Sequence, residues 1–482
     1  MKKNLFLFLA FSLTACSADI PGAMADPEPA ASVTNVLISG FTNGQQTVSG
    51  LADGTYSLEF YAKGSGTGYV EANGRMTALV NSPTVYQKGF VRGIEVSGGS
   101  CSISIKDADA SQFNSMNLIK NDKPFTLIKG GDISELTLVE QNGGKYYDNG
   151  QEGSCLDILK VNGTNLVRLR LYNDPGNASY VPSNRLPAGI QDQADILNLA
   201  KRAKAAGMQI LLSFHYSDYW SNGETQAIPH EWEGMDAAQT TKALYDFTYS
   251  FMEKMKAQGT TPEYVSLGNE TQAGMLYPLG GPLDSNDADY WTKVSNLATF
   301  YNAGYDAVKA SSEETKVIIH LADAGGKDGF NWYFGLMNDY YVKYDIIGAS
   351  YYPFWTGKWA KDVCQWAEYV TDKFDKDMIF MEVGYAWSST IDDGMTSGQL
   401  SHNWPYTDMS QTGQKNFMLE VINEIKKVNN QRLLGFVYWD PVFIPAGSAG
   451  WELGAKNIVS NATLFDFDGN AIEVMNAFKY NN

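Results

Sequence analysis

From Lys123-Pro124 onward the chain repeats one rhythm: a short apolar run, a polar loop, then a stretch with helical period. Eight runs carry it: Phe125–Lys129, Val167–Tyr172, Gln209–Phe214, Tyr264–Gly268, Lys316–His320, Asp345–Tyr351, Met378–Met381 and Gly435–Trp439. Helical periodicity fills most of the gaps, as in Gln191–Ala206 and Asp287–Ala310. Parallel strands need a crossover between them, and eight strand–helix units in succession can close on themselves as a (β/α)8 barrel. An open doubly wound sheet that binds a nucleotide would need a glycine-rich turn after its first strand, and Lys129-Gly130-Gly131-Asp132 lacks that spacing. The expected fold is therefore α/β, a TIM barrel over residues 122–482.

Upstream the pattern changes. Residues 33–121 hold short alternating runs such as Tyr56–Ala62 and Cys101–Ile105, broken by Gly and Asn-Gly turns, which predict a small β-sandwich domain before the barrel. All 11 Trp fall at or after Trp220, so the sandwich lacks the broad aromatic surface that sugars stack on, and a spacer or docking role is expected for it rather than glycan binding. Pro21–Ser32 is rich in Ala and Pro and reads as a tether. Lys2-Lys3, the apolar Leu5–Leu13 and Leu13-Thr14-Ala15-Cys16 form an export signal, whose last four residues resemble the lipobox of bacterial lipoproteins. That resemblance implies a signal peptide over 1–15, lipid on Cys16 and a lipidated tether over 16–32; an ordinary cut after Ala18 is the alternative. The protein is then expected to be exported and anchored at the outer membrane or cell surface as a monomer. A formal charge of −18 argues against nucleic acid or an anionic membrane surface as partner. Cys101, Cys155 and Cys364 have no metal-binding spacing and allow at most one disulfide.

In such a barrel the reactive groups project from the C-terminal strand ends. Taken in order these are Asp132; Arg170 and Asn173; His215 and Asp218; Asn269-Glu270; His320; Ser350-Tyr351-Tyr352; Glu382; and Trp439-Asp440. Singly, a strand-end Asp is more often a helix cap and a His more often a satisfied hydrogen-bonding group. Together they predict a polar substrate cleft. Glu270 and Glu382 each follow an apolar strand, where an unpaired carboxylate costs several kcal/mol, on the order of the desolvation penalty for a buried charge. Two such carboxylates on different strands of one barrel are what retaining glycoside hydrolysis requires.

Several segments carry a more specific signal: Lys129–Ser134, Val167–Pro175, Ser213–Trp220, Gly268–Thr271, Ser350–Trp355 and Tyr438–Pro441. In this order they resemble glycoside hydrolase family 53, the endo-β-1,4-galactanases, over Ile128–Phe478. The resemblance implies that Glu382 is the nucleophile, steadied by Arg170 and a tyrosine of the 350–352 segment, and that Arg170 and Tyr351 contact the substrate. It implies that Glu270 is the acid/base, Asn269 the partner of a sugar 2-hydroxyl, Trp439 the floor of the site, and Asp132, Asn173, His215, Asp218 and Trp220 further substrate contacts. The family more often has Glu where this chain has Asp440. The implied substrate is β-1,4-galactan of pectin side chains, with no cofactor needed for catalysis. A calcium ion near Asp392-Asp393 is implied for some members, with a solvated turn as the alternative reading. Another β-glycanase of this barrel type, such as a mannanase, and a non-catalytic glycan-binding lipoprotein are the rival functions; retention of both glutamates favours an enzyme.

Overall fold

The computed structural model describes residues 35–38, 44–109, 112–121, 123–180, 185–397 and 400–482. The expected signal peptide, Cys16 and tether lie outside the described residues. Eight parallel strands close a barrel: β1 (Ile128–Asp132), β2 (Leu166–Leu171), β3 (Gln209–Phe214), β4 (Tyr264–Leu267), β5 (Lys316–Leu321), β6 (Ile346–Tyr351), β7 (Asp377–Val383) and β8 (Leu433–Tyr438), which pairs back onto β1. Helices Gln193–Ala205 and Tyr290–Ser311 occupy the two stretches of helical period singled out above. Among the described residues no helix is long and apolar enough to cross a membrane.

β1 begins three residues later than its apolar run suggests. Phe125 and Leu127 pack in the large cluster outside the barrel, and it is the glycine pair that enters the sheet, Gly130 opposite Leu166 and Val437. A Cβ at Gly130 would come within 2.9 Å of Leu166 Cδ2, so a larger residue cannot stand there without movement. The lower interior is filled by Ile128, Leu166, Leu211, Ile318, Ile346, Ile379, Met381 and Val437. That apolar plug leaves the charged side chains of the strands to collect above it.

Residues Asn35–Asn121 form two four-stranded antiparallel sheets, one of Asn35–Ile38, Phe113–Asn121, Gly54–Ser65 and Asn81–Val96, the other of Gln45–Ser49, Ser100–Lys106, Tyr69–Ala72 and Arg75–Ala78. Tyr56, Leu58 and Leu118 of the first meet Val70, Ile103 and Ile105 of the second in a separate core, which makes the expected sandwich. It is packed onto the barrel. Arg92 donates twice to Lys426 O, at 3.0 and 2.7 Å, Lys426 Nζ donates to Thr77 Oγ1 at 2.7 Å, and Tyr69 stacks on Tyr480 at 4.6 Å. Lys426 is fully enclosed, and burial holds its ammonium pKa well below the usual lysine range, with Lys129, Arg75 and Arg92 adding to the effect.

Candidate active site

Glu382 is near the end of β7. The pairing of β6 with β7 slips between Ala349 and Ser350, so Ser350 faces Glu382 rather than Met381. Both oxygens of Glu382 are held: Arg168 Nη1 donates to Oε1 at 2.6 Å and Tyr352 Oη donates to Oε2 at 2.8 Å. Burial, then the charge of Glu382, keeps the Tyr352 phenol well above its ordinary pKa, so it remains a donor. Two charge-assisted hydrogen bonds on a carboxylate suit an ionised group held in one orientation.

Glu270 follows the end of β4 in the left-handed backbone region, φ 50°, an uncommon setting for a side chain of this size and one seen at sites where geometry is over-determined by the surroundings. Ser350 Oγ donates to its Oε1 at 2.6 Å, and Ser350 in turn shares a 2.8 Å hydrogen bond with His320 Nε2. Burial, then the charge of Glu382, pushes the Glu270 carboxyl up to about 7, against the opposing effects of Ser350 and Arg168. His320 is held well below its usual pKa, by burial and then by Arg168, and is a neutral ring. One oxygen of each glutamate and a ring nitrogen of His320 lie within 4.8 Å of one another. Two identical carboxyl groups thus face each other across a short gap, one clamped by a cation and the other holding its proton to near neutrality.

A cleft of about 610 Å³ opens over this pair, lined among others by Asn269, His215, Trp220, Trp439, Trp355 and Trp451. Asn269 Oδ1 accepts from Arg168 at 2.7 Å and its Nδ2 donates to Ser221 O at 2.9 Å, which leaves one amide N–H unused. His215 Nδ1 meets Ser221 Oγ at 3.0 Å, while Nε2 has no partner among the described residues. Trp439 stands edge-on to Tyr352 at 5.8 Å.

Other expected contacts are corrected. The arginine on Glu382 is Arg168, not Arg170; both point into the barrel because they are two apart on β2, and Arg168 sits one layer deeper. Arg170 lines the cleft as expected but bonds Glu135 at 3.0 Å and Asp440 at 2.8 Å and lies 3.3 Å from Asp132. Asp132 is fully buried beneath the two arginines and does not line the cleft. Tyr351 points outward, opposite to Ser350, its hydroxyl on Lys358 O and its ring between Phe380 and Phe417; Tyr352 takes the inward place. Asp218 borders the cleft, but its oxygens accept from Asp174 N, Tyr180 Oη and His230 N, so it ties loops together. Asn173 lies outside the cleft lining, its amide unpaired among the described residues.

The residues at Asp392-Asp393 do not fit a calcium ion. Both are exposed, Asp393 accepts from Met395 N and pairs with Lys456 at 3.1 Å, and among the described residues no third ligand group gathers with them, whereas calcium takes six to eight oxygens. Trp451 was not foreseen: it comes from the long loop after β8, where no period marks it. It meets Trp220 at 4.9 Å and Trp439 at 5.3 Å, and its Nε1 donates to Asp440 at 3.2 Å.

The sequence model of glycosyl hydrolase family 53 matches residues 128–478, the whole of the barrel. The endo-beta-1,4-galactanase of Bacillus subtilis (strain 168) is 27% identical over 424 residues, covering 81% of this chain and 93% of its own. The GH53 catalytic domain of Ignisphaera aggregans superposes with a TM-score of 0.68 at 31% identity, covering 75% of this chain and 98% of that one. A structure from a study of two fungal beta-1,4-galactanases gives 0.61 at 26% identity, over 73% of this chain and 99% of that one. Matched along its entire barrel, with the carboxyl pair set at the strand ends, the chain belongs to glycosyl hydrolase family 53 and is a glycoside-cleaving enzyme.

Proposed function

We propose that this protein is a retaining endo-β-1,4-galactanase acting on the galactan side chains of pectin. The observation that carries the reading is the separation of the two glutamates, within 4.8 Å at their nearest oxygens, in unlike surroundings. That distance matches the roughly 5 Å of retaining glycosidases and leaves no room for the water an inverting enzyme places between its carboxyls. Glu382 attacks the anomeric carbon as Glu270 gives its proton to the departing glycosidic oxygen. Formation of the glycosyl ester removes the charge of Glu382, one of the two causes that raise the pKa of Glu270. Glu270 then takes a proton from the incoming water, and the ester is cleaved with a second inversion. Asn269 lines the cleft, and the N–H it does not use on Ser221 O serves the sugar hydroxyl next to the reacting carbon. Every group in this scheme comes from one chain, so a monomer suffices.

The galactan assignment draws on the named activity of the Bacillus subtilis relative. Incubation with β-1,4-galactan, β-1,4-mannan, xylan and cellulose should release reducing ends from galactan at least tenfold faster than from the others. Preference for any other of these polymers would replace the substrate while leaving the carboxyl mechanism in place. We further propose export and lipid anchoring through Cys16, supported by Leu13-Thr14-Ala15-Cys16 after an apolar stretch. Cys16→Ala should release the protein from membranes; unchanged membrane association would refute the anchor.

A further inference from the structure

Three tryptophans near one another stand exposed, Trp355 at 59%, Trp404 at 64% and Trp359 at 46%. Trp355 lines the cleft itself and meets Tyr352 edge-on at 4.7 Å. Two residues on, Gly357 turns with φ 64°, and the Trp404 ring, coming from the loop after β7, lies beside it: a Cβ on Gly357 would be 3.7 Å from Trp404 Cδ1. Trp359 follows two residues later and meets Tyr406 edge-on at 4.6 Å. Four residues of chain span at most about 14 Å, so the three rings follow one another closely.

The row ends at a second cavity, about 560 Å³, with walls from both folded parts: Asn81 and Gln87 from the sandwich, Trp359, Tyr406, Asn416 and Glu420 from the barrel. Asn416 Oδ1 is buried and without a partner among the described residues. Glu420, pushed up to about 7 chiefly by burial, offers an O–H donor below that pH. Aromatic faces beside amide and carboxyl groups complement a sugar ring, which has an apolar C–H face and a rim of hydroxyls. With Asp408 and Glu424, the latter paired with Lys427, against Lys361, the lining offers no net positive charge to an anionic ligand.

We propose that Trp404 and Trp359, with the cavity between sandwich and barrel, form a second binding site for a neutral β-glycan, which grips a chain where it leaves the cleft past Trp355. The identity of the sugar rests on the galactanase reading; the site itself rests on its own residues. It also gives the sandwich a part in binding, as one wall of the cavity.

The test uses the full chain carrying Glu270→Gln, so that bound polymer is not cut. Calorimetry with soluble β-1,4-galactan and with galactotriose is compared before and after adding Trp359→Ala and Trp404→Ala. Polymer affinity should fall at least tenfold while galactotriose affinity stays within twofold, and the unfolding midpoint should be unchanged because both rings are exposed. Gln87→Ala, on the sandwich wall, should weaken polymer binding in the same direction. Polymer affinity within twofold of the parent overturns the proposal, as does an equal loss for polymer and trisaccharide, or tighter binding of polygalacturonate than of galactan. If the wild type cuts a different neutral β-glycan, the galactanase reading fails and the same comparison with that polymer decides the site.

Discussion

Tyr352→Phe removes one of the two hydrogen bonds that Glu382 accepts and nothing else of size from the cleft. A hydrogen bond to a charged group is worth about 1.5–3 kcal/mol, so kcat/KM on galactan should drop about 10- to 100-fold with the fold intact. A change under threefold would mean that Glu382 does not depend on this contact. Ser350 acts on the other glutamate. Its hydrogen bond opposes the rise in the Glu270 pKa, so Ser350→Ala should carry that pKa above 7. The acid must be protonated, and kcat/KM of the wild type should therefore fall as pH rises through about 7, with the alkaline limb of the variant displaced upward. Displacement downward would remove Ser350 from this role.

On the scale of elements, β2 decides much of the site. Arg168 Nη1 is 2.6 Å from Glu382 and 3.4 Å from Asp132, and its Nη2 is 2.7 Å from Asn269 Oδ1. Arg168→Met leaves the buried Glu382 carboxylate without its cation and Asp132 with Arg170 alone, which should cost about 3–5 kcal/mol in urea unfolding. Adding Glu382→Gln should restore part of that loss; no recovery would show that the arginine is held by other contacts. The eight strands were legible because each is a buried run bounded by turn residues, and reading their ends found both glutamates. The layer below the ends was missed. Alternation along Leu166–Leu171 puts Arg168 and Arg170 on the same face, a signal available in the sequence, whereas which of them reaches Glu382 depends on stagger between β2 and β7, which it does not contain. Alternation also places Ser350 and Tyr352 on one face and Tyr351 on the other. Trp451, Trp404 and Trp359 sit in loops, whose course no period foretells.

For the molecule as a whole, the joint between sandwich and barrel adds buried detail to the spacer or docking role expected from the sequence. Lys129 and Lys426 are buried near it, hydrogen-bonded to Phe478 O and to Thr77 and Asn481. Burial, with Arg75 and Lys160 nearby, takes Lys129 down to about 7. Its folded pKa lies below the unfolded value near 10.4, so the unfolded chain binds more protons in between and stability should rise with pH from about 7 to 9.5. Lys129→Met should flatten that slope relative to wild type; an equal slope in both would place the effect elsewhere. Removing residues 35–121 would bare Lys426 and Asn481, so the isolated barrel should unfold at lower temperature.

The claim that Glu382 forms a covalent glycosyl intermediate and Glu270 serves it as acid and then base has a direct test in the anomeric configuration of the first product. Proton NMR of wild-type enzyme acting on β-1,4-galactan should show the β-anomer at the newly formed reducing ends before mutarotation brings in the α-anomer. Initial release of the α-anomer would mean single displacement by water and would contradict the account.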